Sequence, residues 1–254
     1  MAEFIRNKAV KIQLFNLKSI HMKTFHMAWF GFFVCFLAWF GIAPLMPVVR
    51  EELFLTEKQI ATAILASVAI TVLVRLICGT LCDQIGPRLA YTWLLILGSL
   101  PVMCIGFSYN YQTFVLFRLL IGAVGASFVI CQYHTSVMFA PNVVGTANAT
   151  TAGWGNLGGG VTQLVMPSIY SGFLYLGYST FWSWRLSMVV AGAVLFFTGV
   201  AYYYITTDLP DGNFKELRAR GELRTRAQSR GTFLMACKDL RSWALFIVYG
   251  ACFG

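Results

Sequence analysis

The chain has 254 residues, of which 58% are hydrophobic and only 11% charged, with a mean hydropathy of +0.69. Globular chains carry about 25% charged residues, so a water-soluble globule and a disordered chain are both excluded. The net charge of +9 would suit nucleic acid, but the basic residues are bunched as in the short cytoplasmic segments of membrane proteins, and no nucleic-acid partner is needed.

In chain order, a basic tail over residues 1–24 carries Arg6, Lys8, Lys11, Lys18 and Lys23. Six apolar runs follow at 25–49, 60–81, 89–107, 112–138, 145–172 and 184–206, each near the roughly 20 residues that a membrane helix needs. Helices are expected because hydrocarbon offers backbone amides no other partner, and a barrel would show alternation. Pro44 and Pro47 should bend or end the first span. No small-residue cleavage pattern closes that span, so it is not a removable signal peptide. Residues 207–241 form a basic loop holding Lys215, Arg218, Arg220, Arg224, Arg226, Arg230, Lys238 and Arg241, with Thr225 and Ser229 as candidate phosphorylation sites on what otherwise reads as a solvated linker. A seventh run, 242–254, is too short to cross. The chain therefore reads as the first half of a longer protein built from two six-helix bundles.

The basic tail, Arg88 and the 207–241 loop fall on one side if the amino terminus is cytoplasmic, leaving Arg50 and Lys58 opposite. Trp182 and Trp184 flank span six where an interfacial aromatic belt would lie. Seven cysteines, an odd count without a CxxC pair or clustered histidines, fit neither a disulfide framework nor a metal site. No cofactor motif is present.

The informative imbalance lies inside the spans. The carboxylates lie in loops, tails or at span ends, whereas Arg75 and Arg118 lie within spans two and four. Arg75 stands eight residues before Asp83, roughly 12 Å from the cytoplasmic edge. Its helical neighbours Thr71, Val72, Cys78 and Gly79 cannot neutralise it. An intramembrane ion costs at least about 2.5 kcal/mol and is by default functional. Arg75 therefore points to an anion, with a carboxylate from outside the chain or snorkelling to the interface as the alternatives. Arg118 lies nearer the outer end of its span, where it can snorkel, and reads as structural or gating.

Span five carries Gly153, Gly155, Gly158, Gly159 and Gly160 around Asn156. Each glycine costs a helix up to about 1 kcal/mol, so close helix packing or a ligand has to compensate. Gly155 and Gly159 form a GxxxG pair. Asn156 can donate either to an anion or to a neighbouring helix. The turn 79–88, with Gly79, Asp83, Gly86, Pro87 and Arg88, reads as a cytoplasmic latch. Arg118 and Gly122 sit in RLLIGAVG, whose glycines let another helix approach a buried charge. His134 either titrates or is buried, neutral and hydrogen-bonded. The absence of Ser-His-Asp, HExxH or paired carboxylates in the spans argues against an enzyme.

These segments resemble a family. The 79–88 turn, GTLCDQIGPR, resembles the loop motif between spans two and three of the major facilitator superfamily, and 118–125 resembles its fourth-span motif. Residues 152–163, AGWGNLGGGVTQ, resemble the fifth-span signature of the nitrate/nitrite porter family. FVICQY (128–133), CDQIGPR (82–88) and DLPDG (208–212) resemble plant, algal and fungal high-affinity nitrate transporters. The similarity runs from about residue 25 to 254. It implies an all-α membrane protein: a six-helix amino-terminal bundle (25–206) of a major facilitator fold, between the tail and loop (207–241), plus the start of a seventh helix (242–254). It further implies a multi-pass plasma-membrane transporter of nitrate, with nitrite as an alternative, driven by protons through alternating access and open to a small accessory membrane subunit. By resemblance Arg75 binds the anion with a matching arginine from span eight, Asn156 is the signature asparagine, and Phe128 is the aromatic near the site. Without the second arginine the chain alone should not transport. The rivals are a porter of the same fold for another small or organic anion, a seven-helix receptor, and a channel.

Overall fold

A computed structural model of the chain describes residues 7–223, 235 and 237–253. Thr225 and Ser229 lie outside the described residues. Apart from two isolated bridges, Ala9 with Phe139 and Leu209 with Gly212, the regular structure among the described residues is helical. The elements are α1 (Ile20–Phe40), α2 (Met46–Leu53), α3 (Glu57–Ile85), α4 (Pro87–Cys104), α5 (Tyr111–Gly122), α6 (Ser127–Met138), α7 (Val144–Tyr175), α8 (Thr180–Ile205), α9 (Phe214–Ala219) and α10 (Leu240–Phe253).

The six apolar runs become six long rods. The first breaks after Phe40, passes through a 3₁₀ turn containing Pro44, and resumes as α2 with Pro47 in its first turn. Span four is α5 and α6 joined end to end by the 3₁₀ stretch Ala123–Ala126. Five rods are long and apolar enough to cross a membrane: Ile20–Leu53, Glu57–Ile85, Pro87–Phe107, Tyr111–Met138 and Thr180–Ile205. The remaining rod, α7, has 32 residues, but its glycines, threonines and asparagines contribute too little apolar surface to meet the same standard.

α1 is the central rod, packed chiefly on α7 and also on α8 and α6, while α4 lies along α8 and α3 along α5. Glycine makes the α1–α7 contact close. A Cβ at Gly155 would overlap the Phe32 ring, and one at Gly158 would fall on the Phe33 carbonyl oxygen. Thr162 adds a hydrogen bond from its hydroxyl to the Leu37 carbonyl at 3.0 Å. Gly155 and Gly158 thus carry the approach more than the expected Gly155 and Gly159, because Gly159 meets only the flexible edge of Phe40 at 3.3 Å. The helix-packing reading accounts for these residues without a ligand.

The 79–88 segment is not an extended turn. α3 continues through Ile85, and only Gly86 separates it from α4, whose first residue is Pro87. Gly86 has φ of 93°, and a Cβ there would collide with the Asp208 carboxylate, so both backbone conformation and space demand glycine. Trp184 also departs from expectation. It is fully buried and donates its indole N–H to Glu52 at 2.7 Å, which leaves Trp182 as the exposed member of the pair.

Candidate functional site

The buried residues of α3 are Ala63, Ser67, Thr71, Cys78 and Cys82. Their spacing marks one helical stripe, and Arg75 lies on it, four residues after Thr71 and three before Cys78. Polar groups along the stripe are satisfied until Arg75. Ser67 accepts the Trp39 indole N–H at 2.7 Å, and the Thr71 hydroxyl donates to the Gly122 carbonyl at 3.0 Å. Arg75 makes no hydrogen bond or ion pair among the described residues, and its Nε is buried without a partner. Gly79, one turn on, has nothing within 4 Å of where a Cβ would lie. The opposite face of α3 is exposed and apolar at Leu65, Val68, Val72, Leu73, Leu76 and Ile77.

Two other arginines calibrate this arrangement. Arg118 does not snorkel: it is 6% exposed, donates from Nη1 to the Trp39 carbonyl at 3.1 Å, and has an unpartnered Nε. The span-four backbone carries it inward, and Gly122 lets α3 approach so closely that a Cβ would fall on the Ser67 carbonyl. Arg185, which the sequence reading did not single out, is 4% exposed and fully engaged. It pairs with Glu52, donates to the carbonyls of Gly106 at 2.7 Å, Phe181 at 2.8 Å and Ser108 at 3.3 Å, and lies over the Phe181 ring at 3.7 Å. This clamp ties the start of α8 to α2 and to the end of α4. Arg185 thus has a carboxylate and three carbonyls and Arg118 a single carbonyl, whereas Arg75 has neither among the described residues.

Asn156 and Phe128 stand on neighbouring helices. Asn156 is half-buried on α7, forms no hydrogen bond among the described residues, and lies between Gly153 and Gly160, both of which face open space. Phe128 is the second residue of α6, with its ring 5.6 Å from that of Phe32. α3 packs mainly on α5 and α7 mainly on α1, while α6 touches both α3 and α7. Phe128 thus belongs to the element between the helices of Arg75 and Asn156.

At the α9 end of the bundle, Asp83 and Arg88 of the 79–88 segment meet partners. The Asp83 carboxylate accepts from the Tyr133 hydroxyl at 3.0 Å, and its backbone carbonyl accepts from Arg218 at 3.3 Å. Arg88 donates to the Tyr203 carbonyl at 2.8 Å and lies over the Tyr203 ring. Asp208, which sequence reading saw only within DLPDG, joins two helix starts by accepting from the backbone N–H of Arg88 at 2.9 Å and of Phe214 at 3.0 Å. Burial raises its pKa, opposed by those two N–H donors and by the charges of Arg88 and Arg218. His134 is the buried, hydrogen-bonded alternative. Its Nε2 donates to the Thr207 carbonyl, an acceptor only, so its Nδ1 accepts from the Tyr202 hydroxyl.

With this geometry in place, comparison with known proteins identifies the class. Residues 28–254 match the Major Facilitator Superfamily. The chain belongs to that family. A bacterial homolog of the human lysosomal transporter Spinster, in an inward-facing and unoccupied conformation, superposes with a TM-score of 0.66 at 15% identity over 77% of this chain and 45% of its own, a likeness of fold alone. Among curated relatives, high-affinity nitrate transporter 2.3 of Oryza sativa subsp. japonica is 39% identical over 97% of this chain and 48% of its own length. High affinity nitrate transporter 2.5 of Arabidopsis thaliana is 38% identical over 98% and 49%. The nitrate/nitrite transporter NrtP of Nostoc punctiforme is 33% identical over 81% and 41%. The chain spans about half the length of the curated relatives it matches.

Proposed function

We propose that this chain is the amino-terminal half of a proton-coupled nitrate transporter of the plasma membrane, with its amino terminus in the cytoplasm, and that Arg75 is its nitrate ligand. The carrying observation is the guanidinium on the inward stripe of α3 that has neither a carboxylate nor a carbonyl among the described residues, in contrast to Arg185, which has both. A guanidinium presents two parallel N–H donors, which match two oxygens of a planar oxyanion. Asn156 supplies a second donor and Phe128 an aromatic wall. Nitrate neutralises a charge that otherwise has no counterion among the described residues, so the occupied site favours the occluded state and the two halves rock around it. The nitrate transporters among its relatives support the substrate, and the bunched lysines and arginines support the orientation.

The NrtP relative is a nitrate/nitrite transporter, which favours nitrite as a second substrate. Both ions are small and planar, and the arginine fork suits either. The test is uptake of labelled nitrate by the complete protein in liposomes under an imposed proton gradient. Competition by nitrite and none by organic acids is expected. Inhibition by a dicarboxylate stronger than by nitrite would assign the site to another anion, and flux independent of the proton gradient would remove proton coupling.

A further inference from the structure

Residues 7–19, ahead of α1, are folded as a strap. The backbone of Ala9 donates to the Met138 carbonyl at 3.0 Å and accepts from Ala140 at 2.9 Å. Lys8 gives its ammonium to the Ser136 carbonyl at the end of α6, at 2.9 Å. Ile12 and Leu14 then pack on a cluster of Met22, Phe25, Met138, Phe139 and Ala147. His26 accepts at Nδ1 from the Trp29 indole at 3.1 Å and donates from Nε2 to the Leu14 carbonyl at 2.7 Å. His26 is six residues past Ile20, the first residue of α1, which is about 9 Å along the helix axis. After crossing the end of α6, the strap therefore climbs beside the first two turns of α1 before returning to Ser19. Leu14 thus lies level with the second turn of α1.

Its outward face is apolar and cationic together. Phe15 is 97% exposed, Leu17 61% and Val10 58%. Lys11, Lys18 and Lys23 are exposed around them, and no acidic residue occurs between Glu3 and Glu51. A cleft of about 220 Å³ between strap and helix start is lined by Lys11, Gln13, Ser19 and His21 among others. A bare phenylalanine is a liability in water, but at the depth of a headgroup layer it is a wedge.

We infer that residues 10–18 form an interfacial anchor for acidic phospholipid, with Phe15 and Leu17 inserted at the acyl boundary and Lys11, Lys18 and Lys23 gripping the headgroups. Only the leaflet depends on the topology proposed above; the lipid contact follows from the exposed apolar and cationic face of the strap beside the start of α1.

The chain in nanodiscs of phosphatidylcholine, with or without phosphatidylglycerol, tests this by amide hydrogen–deuterium exchange, with α1 and α7 as internal references. Exchange across residues 10–18 should slow about tenfold when the acidic lipid is present. High salt should erase that gain, as should joint replacement of Lys11, Lys18 and Lys23 by Gln. Phe15→Ser should raise exchange in both lipids. Equal exchange in the two compositions, or equal slowing in the triple variant, overturns the anchor. An epitope on the amino terminus reached by antibody from outside intact cells would overturn the orientation instead, while the exchange data would still report the lipid contact.

Discussion

Arg75→Lys in the complete transporter is expected to lower nitrate uptake about a hundredfold while leaving the protein folded. Hydrogen bonds to charged groups contribute about 1.5–3 kcal/mol each, and a lysine keeps the charge but replaces a planar fork with one rotating point donor. Losing one such bond together with the alignment gives about 2.7 kcal/mol, or two decades in affinity. The sign of the stability effect separates this account from a structural one. Arg75 holds no partner among the described residues, so replacing it orphans no described group, and Arg75→Ala should unfold no earlier than the parent. Initial uptake rates normalised to surface protein, alongside thermal unfolding in detergent, check both statements. A variant that loses uptake and stability together would place Arg75 among the packing residues.

Glu52→Ala is expected to do the reverse, with a large loss of stability. Arg185 is buried against Glu52, and the Trp184 indole donates to the same carboxylate. Removing the acid leaves a desolvated guanidinium and an orphaned N–H, and breaking a buried pair from one side costs about 3–5 kcal/mol. Glu52→Gln keeps an acceptor for Trp184 and should lose less. The double replacement Glu52→Ala with Arg185→Met should recover part of the loss, because no buried charge remains. Thermal unfolding of the purified chain reads all three, and a double variant less stable than Glu52→Ala would contradict the assignment.

The contrast between these arginines also marks how far the sequence could be read. Run length and apolarity were enough for six rods, and Pro44 and Pro47 were enough for the break after α1, because these are local properties of the backbone and its solvent. Arg75 was legible as an anomaly, since the absence of a helical neighbour to neutralise it can be counted along one helix. Its lack of distant partners among the described residues could not be counted that way. The same limit hid Arg185, whose carboxylate lies 133 positions away, and made Trp184 look interfacial when Glu52 in fact draws it inside. Arg118 looked free to snorkel because depth along a helix does not reveal which face turns inward. The strap was invisible for a similar reason. Its lysines read only as a basic tail, and one of the bonds that fold it joins Lys8 to Ser136 across the chain. Within span five, the spacing pointed to Gly155 and Gly159, and only the crossing with α1 picks out Gly155 and Gly158.

The most direct measurement is an experimental structure of the complete transporter bound to nitrate. The account predicts a planar anion with two oxygens about 3 Å from the terminal nitrogens of Arg75, facing the space between the halves and approached by Asn156. A guanidinium of Arg75 closed onto a carboxylate of the other half, with nitrate bound elsewhere, would contradict it.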